Sequence, residues 1–458
     1  MLTLSETARL VGGTHIGREL EYTSVGTDSR AVIPGMLFVA LVGERFDGHD
    51  FVLEAMAQGA AAALVTHAFA ASHPELPQVA VDDTRRALGK LAAAWRARFC
   101  LPLIGITGSN GKTTVKEMTA AILRADFGQN AVLATVGNLN NDIGVPLMLL
   151  KLRSSHRAAA IEMGMNHAGE IDYLTRLARP TVALVNNAQR AHLEGLGSVE
   201  AIARAKGEIF AGLADDGVAV INADDPHAPL WQELAGRRRI LRFGFSSQAE
   251  VRGRWRPSHA NEGFGGELEL ATPLGEVSLH LAVPGEHNAK NACAAAAAAI
   301  GAGVPLAPIV RGLSTFTPAP GRLHSRKGLN GAHVIDDSYN ANPDSMRAAI
   351  DVLAALPGRR LLVMGDMGEV GAAAGQLHSE IGGYAKSQGI DLLFALGEKS
   401  VAAVHDFGEG GRHFTSVEAL VRALRPQLDG ETTVLVKGSR FMKMERVVAA
   451  IVEGADAA

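Results

Sequence analysis

The stretch PLIGITGSNGKTTVKEM, residues 102–118, joins an apolar run, a glycine-containing turn and a helix-forming run. This order predicts a buried strand, a tight loop and a helix. Backbone N–H groups at the start of such a helix can hold phosphate, Lys112 can reach the outer phosphates, and Thr113 can bind Mg²⁺. The common pattern G-x-x-x-x-G-K-[ST] requires glycine at position 106, which is Ile106 here, whereas Gly108 lies closer to the lysine. The stretch is interpreted as a shortened phosphate-binding loop.

Short apolar runs alternate with helical stretches around this loop. They end in polar or glycine-rich turns and read LPLIGITG, AAAIEMG, TVALVNNA and GVAVINADD. Such runs are typical of buried parallel strands joined by crossover helices, so they predict a doubly wound α/β domain. Near its end, GELELATPLGEVSLHLAV alternates apolar and polar residues about a Pro-Leu-Gly turn. This pattern predicts an antiparallel hairpin at the sheet edge.

Two further domains are predicted, because 458 residues exceed the roughly 250 to 300 that one core accommodates. Residues 1–81 read as a small mixed α/β domain, with a strand in GMLFVAL and an alanine-rich helix from Glu54 to Ala63. After a proline-rich linker, STFTPAPGRLH, strand and helix alternate again and predict a Rossmann-like α/β domain. The predicted boundaries are 1–81, 82–314 and 315–458.

Composition argues against several classes of function. Lys and Arg total 44 against 48 Asp and Glu, and this net charge of -4 gives no general reason to bind nucleic acid or membranes. Cys100 and Cys293 lack the spacing of a disulfide framework or a zinc site. The start, MLTLSETARLVGG, lacks the features of a signal peptide, so a cytoplasmic protein is expected. The uncharged run at 292–310 is broken by glycines and prolines, and a buried helix ending at Gly301 is expected instead of a membrane span.

Three polar residues are candidate ligands of a nucleotide and its metal. Glu162 follows the run AAAI and is predicted at the carboxyl end of a strand, where ligands of doubly wound sheets bind. It is the candidate magnesium carboxylate, and a surface glutamate is the alternative. Asn288 and Asn291 lie one helical turn apart, so their amides could read adenine, although Asn288 could instead cap a helix. An ordinary glycine turn remains the alternative for the loop, disfavoured by Lys-Thr-Thr at the helix start.

Several separated motifs resemble those of the Mur ligase family, the ATP-dependent amide-forming enzymes of peptidoglycan precursor synthesis. They follow the family's order and comprise the shortened loop preceded by Thr107, IEMGMNHAGEI from Ile161, AHLEGLGS from Ala191, AKGEIF from Ala205, PGEHNAKNACAA from Pro284 and IDDSYNANPDSM from Ile335. The resemblance covers nearly the whole chain. It implies that ATP, with Mg²⁺, converts a carboxylate to an acyl phosphate that an amine then attacks.

The resemblance also implies roles for individual residues. The implied ATP contacts are Gly108, Ser109, Asn110, Gly111, Lys112, Thr113, Thr114, Asn288, Asn291, Arg322 and Asp337. The implied metal ligands are Thr113, Glu162, His192 and Lys206, and the implied catalytic residues are Lys112, Lys206, His192 and Arg322. In the family the residue matching Lys206 is often carbamylated, which turns a cation into an anion beside the metal. Without the resemblance, an ordinary structural histidine and a solvated lysine are the simpler interpretations. Arg322 and Asp337 are expected to reach ATP only after domain closure.

The outer domains are expected to bind the two partners of the reaction. The stretch TDSRAVIPGMLFVALVGERFDGHDF resembles the family's uridine-diphosphate sugar domain, with Ser29 and Arg30 as expected contacts, although TDSR could be only a turn. In the third domain, NANPDSM, VMGDMGEVG and LVKGSR resemble the member that adds D-alanyl-D-alanine to the UDP-N-acetylmuramoyl tripeptide. The expected substrate contacts are Asn138, Asn340, Asn342, Ser345, Gly365, Asp366 and Met367, with backbone N–H groups of residues 365–368 binding the dipeptide.

Alternatives from the same and other classes stay open at this point. A sister ligase could add the third residue or act on folylpolyglutamate, although the Asp-Asn-Pro-Arg motif of the third-residue enzyme is absent. A nucleotide switch or kinase would turn over ATP without forming an amide. A non-catalytic module would have lost its site, whereas Lys112, Thr113 and Glu162 are all present. A monomer is expected.

Overall fold

The computed structural model describes residues 1–44, 46–191, 193–258 and 264–454. Within them the strands form a two-stranded ribbon and three larger sheets of five, nine and six strands. The larger sheets follow one another along the chain, in the order in which the sequence predicts three α/β units. The predicted fold class is confirmed.

The first sheet has the order β2-β7-β6-β5-β4 and is parallel except for the pair of β2 and β7. The strands of this part of the chain are β1 Leu2–Thr3, β2 Thr14–Ile16, β3 Glu21–Tyr22, β4 Ser24–Gly26, β5 Met36–Val39, β6 Ala62–Thr66 and β7 Gln78–Val81. Its helices are α1 Leu4–Val11, α2 Val52–Ala57, α3 His67–Ser72 and α4 Thr84–Arg96.

The single alanine-rich helix predicted from Glu54 to Ala63 is wrong. Helix α2 ends at Ala57, and Gly59 adopts a φ of 108°, which a helix cannot contain. Strand β6 then begins at Ala62 and pairs with β5 on one side and β7 on the other. Alanine favours helix locally, but pairing with two neighbouring strands overrides that weak preference.

The central sheet has the order β16-β15-β14-β13-β12-β11-β8-β10-β9. Its strands are β8 Leu103–Thr107, β9 Val132–Ala134, β10 Ala158–Glu162, β11 Val182–Val185, β12 Val218–Asn222, β13 Arg239–Gly244, β14 Val251–Pro257, β15 Gly266–Thr272 and β16 Gly275–Leu281. Strands β8 to β14 pair in parallel, whereas β14, β15 and β16 pair antiparallel. The predicted edge hairpin is therefore present.

Helices cover both faces of the central sheet. They are α5 Lys112–Phe127, α6 Gly144–Leu149, α7 Glu170–Ala178, α8 Leu193–Leu196, α9 Val199–Gly207, α10 Ala228–Ala235, α11 Glu286–Gly301 and α12 Leu306–Ser314. On one face, α5, α11 and α12 form an apolar core with the strands. On the other face, α6, α7, α9 and α10 share a core with α4 and the first sheet. This shared core joins the first two parts of the chain.

Helix α11 ends at Gly301, as predicted. The alanine run at its centre is fully buried in the core that α11 forms with α5, α12 and the strands. Burial against neighbouring helices and strands explains why such an uncharged segment needs no membrane. Among the described residues, we find no helix both long and apolar enough to cross a bilayer.

The last sheet has the order β17-β18-β22-β19-β20-β21 and is parallel except for the edge pair β17 and β18. Its strands are β17 His324–Lys327, β18 His333–Asp337, β19 Arg359–Gly365, β20 Leu392–Leu396, β21 Gly411–Phe414 and β22 Thr432–Lys437. Its helices are α13 Pro343–Ala354, α14 Ala374–Ser387, α15 Val401–Phe407, α16 Val417–Leu424 and α17 Glu445–Ile451. The proline-rich segment before β17 contains neither helix nor strand, in keeping with a linker.

Candidate active site

A cleft of about 610 Å³ lies between the central sheet and the last sheet, and we call it the interdomain cleft. The central part of the chain contributes residues 109–113, 137, 138, 140, 141, 162, 164–166, 170 and 191. The linker and the last part contribute residues 322, 339–342, 345, 368, 369, 437 and 439–441. The predicted phosphate loop, Glu162 and several predicted substrate contacts therefore share one cavity.

The loop lies between the end of β8 and the start of α5, as the sequence predicts. Gly111 has a φ of 78°, and a Cβ there would lie 2.5 Å from Asn291 Oδ1. Gly108 has a φ of 150°, and a Cβ there would lie 2.9 Å from Asn186 Cβ. Both positions therefore require glycine. Strand β8 ends at Thr107 and the glycine-dependent turn begins at Gly108, so position 106 is an ordinary strand residue.

Polar residues after β11 hold the loop in place. Ser109 N donates to Asn187 O at 3.0 Å, and Asn110 N donates to Asn187 Oδ1 at 2.8 Å. Gln189 N donates to Ser109 Oγ at 3.0 Å. The first two bonds use the backbone donors of Ser109 and Asn110, and Gly111, Lys112 and Thr113 line the cleft at the start of α5. The loop is preorganised for an anion.

Lys112 folds back onto its own loop. Its Nζ donates to Gly108 O at 2.8 Å and to Ser109 O at 3.0 Å. Burial lowers the pKa of Lys112 from its usual value, the Glu162 carboxylate opposes that shift, and the Arg322 guanidinium adds to it. An anionic phosphate in the loop would offer this ammonium a stronger partner than two neutral carbonyls.

Glu162 is the last residue of β10 and is 3% exposed. Its Oε1 accepts from Asn140 Nδ2 at 2.9 Å, whereas its buried Oε2 has no hydrogen-bond partner among the described residues. A buried carboxylate oxygen without a partner is costly unless a cation or donor joins it. The chemistry of this side chain therefore fits a divalent cation, which prefers carboxylate oxygen.

Lys206, in α9, is fully buried, and its Nζ likewise has no hydrogen-bond partner within the described part of the chain. Burial lowers the pKa of Lys206 well below its usual value, and Lys112 lowers it further, whereas Glu162 acts in the opposite direction. The amine is therefore held in its neutral, nucleophilic form at lower pH than an exposed lysine. This state is the one that can react with carbon dioxide.

The residues present fit Mg²⁺ only with help from other ligands. Across residues 1–44, 46–191, 193–258 and 264–454, no group of three or more His, Cys, Asp or Glu side chains is placed to hold a metal. Glu162 and Thr113 line the interdomain cleft, and the Glu162 carboxylate is close enough to Lys206 to raise the pKa of its amine. His192, the remaining predicted metal ligand, lies outside the described residues.

The first turn of α13 docks on the loop region of the central sheet. Asn342 Nδ2 donates to Asn110 Oδ1 at 2.7 Å, and Asn110 Nδ2 returns a bond to Asn342 Oδ1 at 3.3 Å. Arg190 donates to Asp344 through its backbone N at 2.8 Å and through Nη2 at 2.7 Å, and Nη1 reaches Glu380 at 3.1 Å. The last sheet is therefore held against the phosphate loop.

Arg322 reaches the loop from the linker. Its Nη2 lies 3.4 Å from Thr113 Oγ1, and its Cζ lies 4.2 Å from the centre of the Tyr339 ring. This places a guanidinium beside the first turn of α5, where it can meet phosphate. Asp337 instead pairs with Lys437 Nζ at 2.6 Å and accepts from Leu323 N at 3.2 Å. A ribose contact by Asp337 has to compete with that buried ion pair.

Asn288 and Asn291 share one buried face of α11, as their spacing predicts, but their amides bind protein groups. Asn288 Nδ2 donates to Pro284 O at 2.8 Å, and Asn291 Nδ2 donates to Asn288 Oδ1 at 3.3 Å. Asn291 Oδ1 accepts from Asn186 Nδ2 at 2.9 Å. Asn291 therefore lies beneath the phosphate loop, and its predicted adenine contact stays a prediction. Gly285, and not Asn288, caps the helix.

Several predicted dipeptide contacts already have protein partners. Met367 N donates to His378 Nε2 at 2.9 Å, and Gly368 N donates to Ser439 Oγ at 2.7 Å. Asp366 is buried and accepts from Ser400 N at 2.8 Å. The predicted contacts Gly365, Asp366 and Met367 do not line the described cleft, whereas their neighbour Gly368 does. Binding by these backbone donors would require existing bonds to break.

Asn342 and Ser345 line the cleft, yet both cap α13. Asn342 Oδ1 accepts from Ser345 N at 2.9 Å, and Ser345 Oγ accepts from Asn342 N at 3.0 Å. Asn340 is exposed in the cleft. Asn138 lines the cleft, two positions before Asn140 in the chain. Thr114 directly follows Thr113. Asn340 and Asn138 keep their predicted roles as candidate contacts.

Ser29 and Arg30 lie in a short 3-10 helix of the first sheet's domain and do not line the described interdomain cleft. Arg30 Nη2 donates to Asp28 Oδ2 at 2.9 Å, and this contact lowers the pKa of Asp28 to about 2. Their predicted contact with a uridine-diphosphate sugar therefore concerns a separate surface and stays a prediction.

Four residues that the sequence reasoning did not single out shape the site. Asn140 orients Glu162, Asn187 holds the loop, Tyr339 packs on Arg322, and Arg190 binds Asp344. Asn187 and Arg190 follow β11 at the same edge as Glu162, so the strand-end rule applied to Glu162 would also have indicated them. Tyr339 follows β18 in the same way, whereas no local pattern indicates Asn140.

Three family models match successive parts of the chain. A model described as Mur ligase family, catalytic domain, matches residues 21–96, and one for the Mur ligase middle domain matches residues 106–299. A third, described as Mur ligase, glutamate ligase domain, matches residues 321–440. Together these models span most of the chain.

Individual proteins are similar over nearly the full length. UDP-N-acetylmuramoyl-tripeptide--D-alanyl-D-alanine ligase of Escherichia coli (strain K12) is 44% identical over 464 residues, covering 99% of this chain and 98% of the relative. The crystal structure of MurF from Acinetobacter baumannii is 36% identical with a TM-score of 0.88, covering 97% of each chain. MurF ligase from Thermotoga maritima in complex with ADP is 26% identical with a TM-score of 0.81, covering 93% of this chain and 96% of that one.

Proposed function

The chain belongs to the Mur ligase family, and on that premise we propose that it is a UDP-N-acetylmuramoyl-tripeptide--D-alanyl-D-alanine ligase of peptidoglycan precursor synthesis. Its products are the UDP-N-acetylmuramoyl pentapeptide, ADP and phosphate. The proposal is carried by full-length similarity to a ligase of that name, in a chain whose phosphate loop faces its last domain across one cleft.

The reaction consists of two transfers. A carboxylate oxygen of the tripeptide attacks the γ-phosphorus of ATP, ADP leaves, and an acyl phosphate forms. The amine of D-alanyl-D-alanine then attacks the acyl carbon, phosphate leaves, and the amine loses a proton. Positioning and charge neutralisation dominate such chemistry. Lys112 and Arg322 supply positive charge at the loop, and the docked turn of α13 holds the last domain against it.

The cofactor proposed beside ATP is Mg²⁺, held by Glu162 and Thr113 with His192 and a carbamylated Lys206. When bound, Mg²⁺ would neutralise negative charge on the transferring phosphoryl group. Asn140 orients the Glu162 carboxylate. Glu162 Oε2 and Lys206 Nζ have no hydrogen-bond partner among the described residues, which supports a site for additional polar ligands.

The three domains are proposed to divide the work. Residues 1–81 bind the uridine-diphosphate sugar with Ser29 and Arg30, residues 82–314 bind ATP, and residues 315–458 bind the incoming dipeptide. We propose a monomer as the catalytic unit, because both walls of the interdomain cleft come from one chain. The proposed location is the cytoplasm, where ATP is available.

The test is to incubate the protein with ATP, Mg²⁺ and UDP-tripeptides ending in diaminopimelate or lysine. Each is mixed with D-alanyl-D-alanine or with D-alanine, and products are identified by mass. The pentapeptide is expected, with kcat/KM for D-alanine roughly 100-fold lower or worse, because a site built for a dipeptide leaves polar groups unpaired around a single residue. Comparable rates with both amines would favour a ligase that adds one amino acid.

Two other outcomes would point to different functions. ATP turnover without a new amide would indicate a nucleotide switch or kinase. Amide formation only with a folylpolyglutamate or a UDP-dipeptide acceptor would indicate a sister ligase.

Carbamylation of Lys206 is expected to appear as uptake of ¹³C-labelled carbon dioxide by the purified protein. The neutral amine attacks carbon dioxide and releases one proton, so uptake should fall as pH decreases. Lys206→Arg should take up no label and should weaken apparent Mg²⁺ affinity by roughly 10- to 100-fold. Carbon NMR and intact mass report the label without requiring turnover.

Lys116 provides the matched comparison, because it is also fully buried but pairs with the Glu117 carboxylate. Lys116→Arg should leave labelling at its wild-type level. Equal labelling in wild-type protein and Lys206→Arg would contradict the assignment.

A further inference from the structure

We propose that Arg440 binds the terminal carboxylate of the incoming dipeptide and that Phe441 contacts one of its methyl groups. This inference rests on the proposed function, and it assigns the acceptor end of the interdomain cleft. It replaces the predicted backbone donors of residues 365–368, of which Met367 N and Gly368 N already have partners in the protein.

Several positively charged side chains line the interdomain cleft. Among the described residues these are Lys112, Arg322, Lys437 and Arg440. Lys112 and Arg322 contact the phosphate loop, and Lys437 is buried in an ion pair with Asp337 while also donating to Asn340 O. Arg440 is the remaining cation, and a dipeptide acceptor brings one carboxylate that needs such a partner.

Two guanidinium groups contact the Tyr339 ring. The ring centre lies 4.2 Å from Arg322 Cζ and 5.6 Å from Arg440 Cζ. Arg322 is thereby directed to Thr113 at the nucleotide end, whereas Arg440 lies on the part of the wall formed by the last domain. The cleft thus has one guanidinium beside the phosphate loop and another that contacts the same ring from the last domain.

Arg440 is held without being enclosed. Its side chain is 61% exposed, and Nη1 donates to Glu445 Oε1 at 2.9 Å. A guanidinium carries five N–H donors, so this contact leaves an edge that can bind a carboxylate through two parallel bonds. Contact with Glu445 and Tyr339 orients the group before the substrate arrives.

Phe441 supplies an apolar surface next to Arg440. It is 61% exposed although it is a large hydrophobic residue, and it lines the cleft. Its ring lies against Gly368, where an added Cβ would come within 2.9 Å of Phe441 Cε1. Glycine at that position lets the ring lie close to the cleft wall, and alanine methyl groups are small apolar partners for it.

The experiment compares D-alanyl-D-alanine with D-alanyl-D-alaninamide, which lacks the terminal negative charge, as acceptors for wild-type protein and Arg440→Gln. Wild-type protein should prefer the acid. In Arg440→Gln the KM for the acid should rise by roughly 10- to 100-fold, as expected for a lost charge-assisted contact. The KM for ATP and kcat/KM for the amide should stay unchanged, and Arg440→Lys should retain part of the preference.

Arg412→Gln is the control, because Arg412 is an exposed arginine on the edge strand β21, away from the cleft. It should behave as wild type. Equal losses with acid and amide in Arg440→Gln, or an unchanged preference for the acid, would overturn this assignment while leaving the proposed function intact. Absence of product with both acceptors in wild-type protein would overturn the proposed function and this inference together.

Discussion

Replacing Lys112 with alanine is expected to lower the rate of ATP-dependent amide formation by about 10²- to 10³-fold or more, the usual cost of removing a group that stabilises charge in a transition state. The Lys112 ammonium lies on the loop carbonyls of Gly108 and Ser109, within reach of a bound phosphate. Its removal leaves the transferring phosphoryl group without that positive charge. Single-turnover formation of the pentapeptide with saturating ATP measures the effect.

The fold of the Lys112→Ala variant should stay intact. The Lys112 ammonium donates to two carbonyls of its own loop, which lines the open cleft, so water can bind these carbonyls when the side chain is removed. Thermal melting should therefore show little change. Lys386→Ala is the matched control, because Lys386 Nζ also donates to a backbone carbonyl, Glu409 O at 2.8 Å, outside the cleft. Near-normal turnover in a folded Lys112→Ala variant would exclude the proposed role.

Replacing Glu162 with glutamine is expected to raise the Mg²⁺ concentration needed for half-maximal activity by roughly 100-fold or more, because a charged ligand of a divalent cation becomes neutral. The amide oxygen can still accept from Asn140 Nδ2, so the side chain should keep its position. The amide nitrogen then takes the place of the buried Oε2, where it presents hydrogens to the cation.

A second measurement separates metal binding from catalysis. Ligands that bind only the folded state raise the melting temperature, so Mg²⁺ with ADP should stabilise wild-type protein more than ADP alone. That increment should vanish in Glu162→Gln. Glu418→Gln, which alters an exposed glutamate in the first turn of α16, should retain it. An unchanged Mg²⁺ titration of both activity and melting would remove Glu162 from the metal site.

The positions of Glu162 at the end of a strand and of the phosphate loop between a strand and a helix could be predicted from the sequence, because both depend on local patterns. Buried parallel strands have short apolar sequences, and their carboxyl ends meet at one edge of the sheet. Asn187 and Gln189, which follow β11 and hold the loop, were not predicted as site residues. The backbone donors of Met367 and Gly368 were predicted to bind the dipeptide, although they are bonded within the last domain.

The sequence does not predict whether an individual polar residue is buried. Lys206 lies in an amphipathic helix whose sequence does not reveal that its amine is fully buried and, within the described part of the chain, has no hydrogen-bond partner. Asn342 looks like a substrate contact in the motif NANPDSM, yet it caps α13 and pairs with Asn110. Such outcomes depend on residues more than 200 positions apart in the chain.

The amino-acid sequence by itself determined the order of the three α/β units, the position of the phosphate loop and the strand that carries Glu162. These follow from hydrophobic periodicity and glycine placement, which act over a few neighbouring residues. Only the tertiary structure decided that Asn140 orients Glu162, that Arg322 and Arg440 both contact Tyr339, and that Ala62 begins a strand. The physical reason is that the partners of a polar side chain are set by how separate sheets pack together, and packing free energy between distant segments can override local preference.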